Sequence, residues 1–113
     1  MEDKIIIGLT EHLIILKGNK RVAIEARIDS GATKSSIDIN LAKEFNASVI
    51  DNKIVKSAHG IKRRPIIALD IELAGKKLFK AEFSIAERSH MKYKALIGQN
   101  ILKKGFLIDP NKK

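Results

Sequence analysis

Residues 22–32 carry the sequence VAIEARIDSGA, an alternating segment that ends in an acidic turn. From Val22 to Ile28 every second side chain is apolar, the pattern of a strand with one buried face. Asp29 follows at once, and three small residues come after it, which predicts a tight turn with backbone N–H groups directed at the carboxylate. Taken alone, this pattern also fits an ordinary turn at the end of a strand.

A second segment near the other end of the chain gives the turn a possible function. Residues 96–102 read LIGQNIL, which predicts a short apolar strand, a glycine and a short helix. The two segments, in this order, resemble the two signature segments of the retropepsin family of aspartic proteases. In that family the second segment braces the catalytic turn. The resemblance covers the chain from about Val22 to Asp109, and the length of 113 residues fits one subunit.

Further residues make the chain resemble a prokaryotic branch of that family. This branch is often labelled ATP-dependent zinc proteases, and it is associated with ATP-grasp ligases that attach glutamate to proteins. The residues concerned are Arg64, Pro65, Glu87, Arg88, Met91 and Tyr93. The chain nevertheless contains no cysteine, no His-Glu-x-x-His and no Gly-x-x-x-x-Gly-Lys, and His12, His59 and His90 lack metal-ligand spacing. We therefore expect no metal and no other cofactor.

The remaining patterns predict a mostly β protein. A hairpin is expected around Gly18, a second from Lys53 to His59 and Ile66 to Leu73, and a third turn at Ala74 and Gly75. Asp38 is expected to cap a short helix, and a second short helix to follow Gly98. We expect a small, retropepsin-like closed β-barrel with one or two short helices, formed by residues 1–113 as a single domain.

The resemblance implies a role for each residue of the two segments. Asp29 would be catalytic, Ser30 would hydrogen-bond across a subunit interface, Gly31 would permit close backbone approach, Ala32 would complete the motif, and Gly98 would pack behind the turn. Since the chain has one such turn, two copies would be needed. Two carboxylates about 3 Å apart repel by roughly 5 to 6 kcal/mol at an effective dielectric of about 20, so the pair would share one proton.

The expected partners follow from this dimer and from charge. Exposed strand edges at the chain ends, Ile5 to Leu9 and Phe106 to Asp109, are the expected homodimer interface. Lys and Arg exceed Asp and Glu by 9 charges, which favours acidic partners. The second hairpin falls where the family carries its flap, and the residues expected there to contact substrate are His59, Gly60, Arg63 and Arg64. The substrate would be a peptide or protein, acidic or rich in glutamate, although a solvated lysine-rich surface explains the charge equally well.

Two alternatives use the same fold without catalysis. One is an inactive dimerisation module with the protease fold. The other is a basic module that binds nucleic acid. However, Tyr93 and the four phenylalanines do not interleave with basic residues in the way that makes a stacking platform, and no known nucleic-acid-binding motif is present, so nucleic acid is not expected. The start of the chain shows neither a signal peptide nor a membrane span, which predicts a cytoplasmic protein without a membrane partner.

Overall fold

The computed structural model describes residues 3–57 and 60–112. The strands in this part are β1 (Ile5–Ile7), β2 (Thr10–Lys17), β3 (Lys20–Ile28), β4 (Ser35–Asp38), β5 (Val49–Ser57), β6 (Gly60–Leu73), β7 (Lys76–Ala86), β8 (Ala95–Ile97) and β9 (Phe106–Ile108). The helices are α1 (Ile39–Glu44) and α2 (Gln99–Leu102). The predicted mostly β composition with two short helices is confirmed.

Six of the strands close into a barrel. Their order is β2, β3, β8, β4, β7, β6, and β6 pairs again with β2, so the sheet returns to its first strand. The closing strands carry alternate side chains into one core, where Leu13, Ile15, Ile71 and Leu73 are fully buried. Burial of such aliphatic side chains contributes roughly 1.5 to 3 kcal/mol each. The closed barrel predicted from the sequence is therefore present.

The β2–β3 hairpin shows how the alternating pattern becomes structure. Its turn contains Gly18 at φ 58°, a left-handed conformation that glycine adopts without a steric cost. On β3, Ala26 and Ile28 are buried while Arg27 between them is exposed. The face predicted to be buried is the one that faces the core.

The second hairpin is longer than its sequence pattern suggested. β6 begins at Gly60, not at Ile66, so it continues through Pro65, which lies opposite Asn52 of β5. Pairing with β7 starts only at Ile66, so one side of the strand at Pro65 is an edge, where a residue without an N–H group is tolerated. The outer part of β6, from Gly60 to Pro65, and the facing part of β5, from Asn52 to Ser57, thus form a two-stranded arm that extends from the barrel. The predicted turn near His59 lies outside the described residues.

The two helices are short connections on the barrel. The Asp38 carboxylate accepts the Asn40 backbone N–H at 3.2 Å, which confirms the predicted N-cap of α1. The Arg88 backbone N–H donates to the other oxygen of Asp38 at 2.8 Å. Within the described part of the chain, the helices are too short to cross a membrane.

The ends of the described chain pair with each other. β1 lies parallel to β9, with Ile5 opposite Phe106 and Ile7 opposite Ile108. The sequence predicted these segments as interface strands. Because β1 and β9 pair with each other, each of them uses one of its two edges within the chain. No described strand pairs with the outer edge of either one.

Candidate active site

Asp29 lies on a tight turn at the end of β3. Ile28, the last residue of that strand, pairs in parallel with Ile97 of β8, and the Asp29 N–H donates to the Ile97 carbonyl at 2.9 Å. The Asp29 carbonyl accepts the Ala32 N–H at 3.2 Å, and the carboxylate oxygen Oδ1 accepts the Gly31 N–H at 3.0 Å. These bonds fix the half-buried carboxylate relative to the barrel.

The segment that begins at Gly98 holds this turn from behind. A Cβ atom at Gly98 would lie 2.4 Å from the Lys34 carbonyl oxygen and 2.8 Å from that of Ala32, both of them backbone atoms. The Gln99 backbone N–H donates to the Ala32 carbonyl at 2.8 Å. The Gln99 side-chain amide donates to the Ser30 carbonyl, also at 2.8 Å. The structure therefore brings together Asp29, Ser30, Gly31, Ala32 and Gly98, the five residues predicted around the turn.

A buried serine continues this bracing, and the sequence analysis missed it. Ser35 is fully buried; its hydroxyl donates to Asn100 Oδ1 at 2.8 Å and accepts the Gly98 N–H at 2.9 Å. The Asn100 amide then donates to the Glu82 carbonyl of β7 at 2.9 Å. A signal was available, since Ser35 and Ile37 occupy alternate positions of a strand and share its buried face.

A groove of about 650 Å³ runs beside the turn and under the β5–β6 hairpin. We call it the turn groove. It is lined by Gly31, Ala32, Thr33, Lys34, Ser36, Lys53, Ile54, Arg64, Ile66, Ser84 and Leu96. Three cationic side chains line it, and within the described residues no Asp or Glu does. Lys34 and Lys53 were not predicted as site residues, because neither belongs to a motif.

The predicted flap residues occupy different positions. Arg64 is half-buried and lines the turn groove, whereas its neighbour Arg63 is exposed and does not. Gly60 starts β6 opposite Ser57, with φ 114°. His59 lies outside the described residues. Of the three predicted residues that the structure describes, Arg64 is the one that lines the groove.

The residues around Arg88 hold a loop next to β4. The Arg88 side chain donates to the Tyr93 carbonyl at 3.0 Å. Burial, and then the nearby Arg27 charge, lower the pKa of Arg88, while Asp38 opposes the shift. Hydrogen bonds from the hydroxyl and N–H of Ser89 lower the pKa of Glu87. These contacts assign a structural role to residues that carried the family resemblance.

Within residues 3–57 and 60–112, no group of three or more His, Cys, Asp or Glu side chains is arranged to hold a metal ion. His12 and His90 are both exposed.

Comparison with protein families identifies the group to which this chain is related. The RimB-like family, described as the retropepsin-like aspartic endopeptidase RimB, matches residues 38–113, about two thirds of the chain. The chain belongs to the RimB-like family. The matched part includes Gly98 and the bracing segment, whereas the Asp29 turn precedes it, so the placement of Asp29 relies on the contacts described above.

Curated relatives of this RimB-like chain are longer proteins. A Shewanella halifaxensis protein named "Probable alpha-L-glutamate ligase" is 30% identical, in an alignment covering 79% of this chain and 25% of that protein. A Shewanella pealeana protein of the same name is 28% identical with the same coverage. The chain thus spans about a quarter of the length of these relatives.

Solved structures share the fold of the RimB-like chain. A Legionella pneumophila protein with unknown function has a TM-score of 0.69 at 19% identity, covering 96% of this chain and 95% of that one. The solution structure of the simian foamy virus protease has a TM-score of 0.64 at 21% identity, covering 83% of this chain and 91% of that one. The predicted retropepsin-like barrel is therefore confirmed.

Proposed function

We propose that the protein is an aspartic endopeptidase that acts as a homodimer, with residues 1–113 forming a single retropepsin-like domain. The observation that carries the proposal is the position of Asp29. This residue ends a barrel strand, lies on a turn held by the Gly98 segment, and adjoins a groove beneath a hairpin. A carboxylate held in this way is suited to proton transfer at a peptide bound in the groove.

The chemistry requires the Asp29 carboxylates of two copies. Peptide hydrolysis of this type needs one group that takes a proton from water and another that gives a proton to the carbonyl oxygen. With one proton shared by the pair, the ionised carboxylate accepts the proton of the attacking water while the protonated one donates to the oxygen. The tetrahedral intermediate then collapses as a proton passes to the leaving amine.

The neighbours of Asp29 position this pair. The Gly31 N–H, 3.0 Å from Oδ1, orients the carboxylate. Gly31 and Ala32 also line the turn groove, where the missing side chain of one and the methyl group of the other let a substrate backbone approach. Ser30 is exposed at the edge of the turn, and in the dimer its hydroxyl would bond across the interface. Gly98 acts as a positioning residue through the turn.

We propose that the preferred substrates are acidic peptides, including glutamate-rich ones. Lys34, Lys53 and Arg64 line the turn groove and would attract carboxylates. The name of the curated relatives, alpha-L-glutamate ligase, supports glutamate-containing substrates. We also propose that the reaction takes place in the cytoplasm.

Substitution of Asp29 tests the proposal. We expect Asp29→Asn to reduce peptide cleavage by roughly a thousandfold or more, because an amide cannot exchange the proton. Sedimentation should show a dimer for both proteins. Glu44→Gln, the same chemical change on the exposed surface of α1, is the control and should retain full activity. Cleavage by Asp29→Asn at the wild-type rate would contradict the dyad. A wild-type protein that is dimeric but cleaves no peptide would favour the inactive module.

Acidic and neutral peptides test the substrate class. Wild type should cleave acidic peptides faster at low salt, and the preference should shrink as salt screens the groove. Equal rates on both peptides at low salt would remove electrostatic selection while leaving the dyad unaffected.

A further inference from the structure

We propose that a second groove is an accessory binding site for an extended acidic segment of the substrate, away from the bond that is cleaved. This inference rests on the proposed peptidase function. The groove has a volume of about 330 Å³ and lies between β7 and α2. We call it the β7–α2 groove. Its lining includes Lys34, Phe79, Lys80, Glu82, Asn100 and Lys104.

The two grooves are adjacent. Lys34 lines both of them. On β7, Ser84 lines the turn groove and Glu82, on the same side of the strand, lines the β7–α2 groove. A peptide extending out of the turn groove past Lys34 therefore enters the second groove without reversing direction.

β7 offers a strand edge along the second groove. On one side, the strand from Lys76 to Ser84 pairs with β6, whereas β4 pairs with the other side only from Phe83 onward. In the described part of the chain, no strand covers that other side between Lys76 and Ala81, while the Glu82 carbonyl already accepts the Asn100 amide. An extended peptide can bind to such an edge through main-chain hydrogen bonds.

An irregularity in β7 presents an aromatic side chain at this edge. The β6–β7 register shifts next to Asp70, whose carboxylate accepts the Lys80 N–H at 2.9 Å. Lys80 adopts φ 55°, a left-handed conformation that is sterically unfavourable for a residue with a side chain. Beside it, Phe79 is 72% exposed. The exposed ring is available to pack against an apolar side chain of a peptide bound along this edge.

Charge determines which peptides fit. Three cations, Lys34, Lys80 and Lys104, line the groove with one carboxylate, that of Glu82. This balance favours an acidic segment with an apolar side chain to pack on Phe79. It disfavours a second copy of this chain, whose net charge is +9.

The test measures binding without cleavage, so that it does not depend on activity. Fluorescent glutamate-rich peptides of about 12 residues (~40 Å extended) and about 5 residues (~17 Å) would be titrated into the Asp29→Asn protein by anisotropy. The molecule measures 41 × 36 × 29 Å, so the longer peptide is long enough to extend through both grooves, whereas the shorter one covers less than half of the longest dimension. Lys104→Glu and Phe79→Ser would then be added separately to the Asp29→Asn protein. Lys20→Glu, a charge reversal on the β2–β3 hairpin, is the matched control.

The readout is the ratio of the two dissociation constants, short over long. We expect this ratio to fall by about fivefold or more with Lys104→Glu and with Phe79→Ser, and to stay unchanged with Lys20→Glu. An unchanged ratio in the two groove variants would overturn the accessory site, and so would an equal fall with Lys20→Glu. A wild-type protein that cleaves no peptide, while the ratio behaves as expected, would instead overturn the peptidase function alone.

Discussion

Gly98 is the residue at which local packing constrains the candidate site most tightly. A methyl group there would meet backbone oxygens of the turn, and backbone cannot rotate away as a flexible side chain can. The adjoining hydrogen bond from the Gly98 N–H to Ser35 limits the movement of its own backbone. The Asp29 turn therefore depends on a residue with no side chain more than sixty positions later in the sequence.

Gly98→Ala should be strongly destabilising. We expect a loss of roughly 2 to 3 kcal/mol in the free energy of unfolding, measured by urea denaturation, because overpacking displaces backbone. Gly31→Ala adds the same methyl group on the other side of the turn, where the nearest atom is the Asp29 carboxylate oxygen at 3.3 Å. Its cost should stay below about 1 kcal/mol. Equal losses in the two variants would contradict the packing explanation.

The lowered pKa of Glu87 makes the stability of its loop depend on pH. Its pKa is lowered by the Ser89 hydroxyl and N–H, so these bonds stabilise the fold above the ordinary pKa of glutamate and are lost as pH falls through the lowered value. Ser89→Ala removes the hydroxyl and leaves the N–H. The pKa of Glu87, followed by NMR of its carboxyl carbon, should rise part of the way to the ordinary value. Ser48→Ala on an exposed loop should leave this titration unchanged.

Sequence reasoning at this scale succeeded where the signal was local. Asp29 and its three small neighbours form a turn with two hydrogen bonds inside the motif, from the Gly31 and Ala32 N–H groups to Asp29, and Gly98 follows an apolar strand in a recognisable pattern. Lys34 and Lys53 were missed because they come together only when the residues before β4 face β5 across the turn groove. A periodic pattern in the sequence does not indicate such a contact.

At the scale of elements, turn chemistry predicted the hairpins, and pairing partners determined their lengths. Ala74 and Gly75 both have positive φ, which suits a two-residue turn between β6 and β7. The early start of β6 was not predicted, because Pro65 and its basic neighbours give no alternating apolar pattern. β5 supplies the pairing that extends the strand.

The β5–β6 arm should open more readily than the barrel. Residues 49–54 of β5 are all exposed, and β5 pairs with β6 alone, so few apolar contacts oppose local opening. In the free protein, amide hydrogens of β5 should exchange at least about a hundredfold faster than those of β2, which is paired on both sides. Equal protection of β5 and β2 would show that the arm is held by contacts not seen in one copy.

For the whole molecule, the parallel β1–β9 pair is where we propose that a second copy binds. Ile6 and Leu107 lie opposite each other in register and are 44% and 51% exposed. The sequence correctly indicated strands at both places. It did not indicate that they pair with each other, because the two strands are about a hundred residues apart in the chain.

Leu107→Lys should weaken the proposed homodimer without unfolding the chain. The side chain is exposed in one copy, so its replacement should change the stability of the monomer by no more than about 0.5 kcal/mol. Sedimentation should show more monomer, and cleavage should fall in parallel. Phe79→Lys, a similar change at an exposed residue on β7, is the control for sedimentation. A Leu107→Lys protein that remains as dimeric as wild type would place the interface elsewhere.

The β1–β9 pairing also affects the order of events during synthesis. β1 leaves the ribosome long before β9 exists, so it has no strand to pair with while the barrel strands between them are being made. Until β9 emerges, the apolar side chains of β1 are open to chaperones and to neighbouring nascent chains. Polysome-bound copies stalled before Phe106 should therefore be more prone to aggregation than the finished chain.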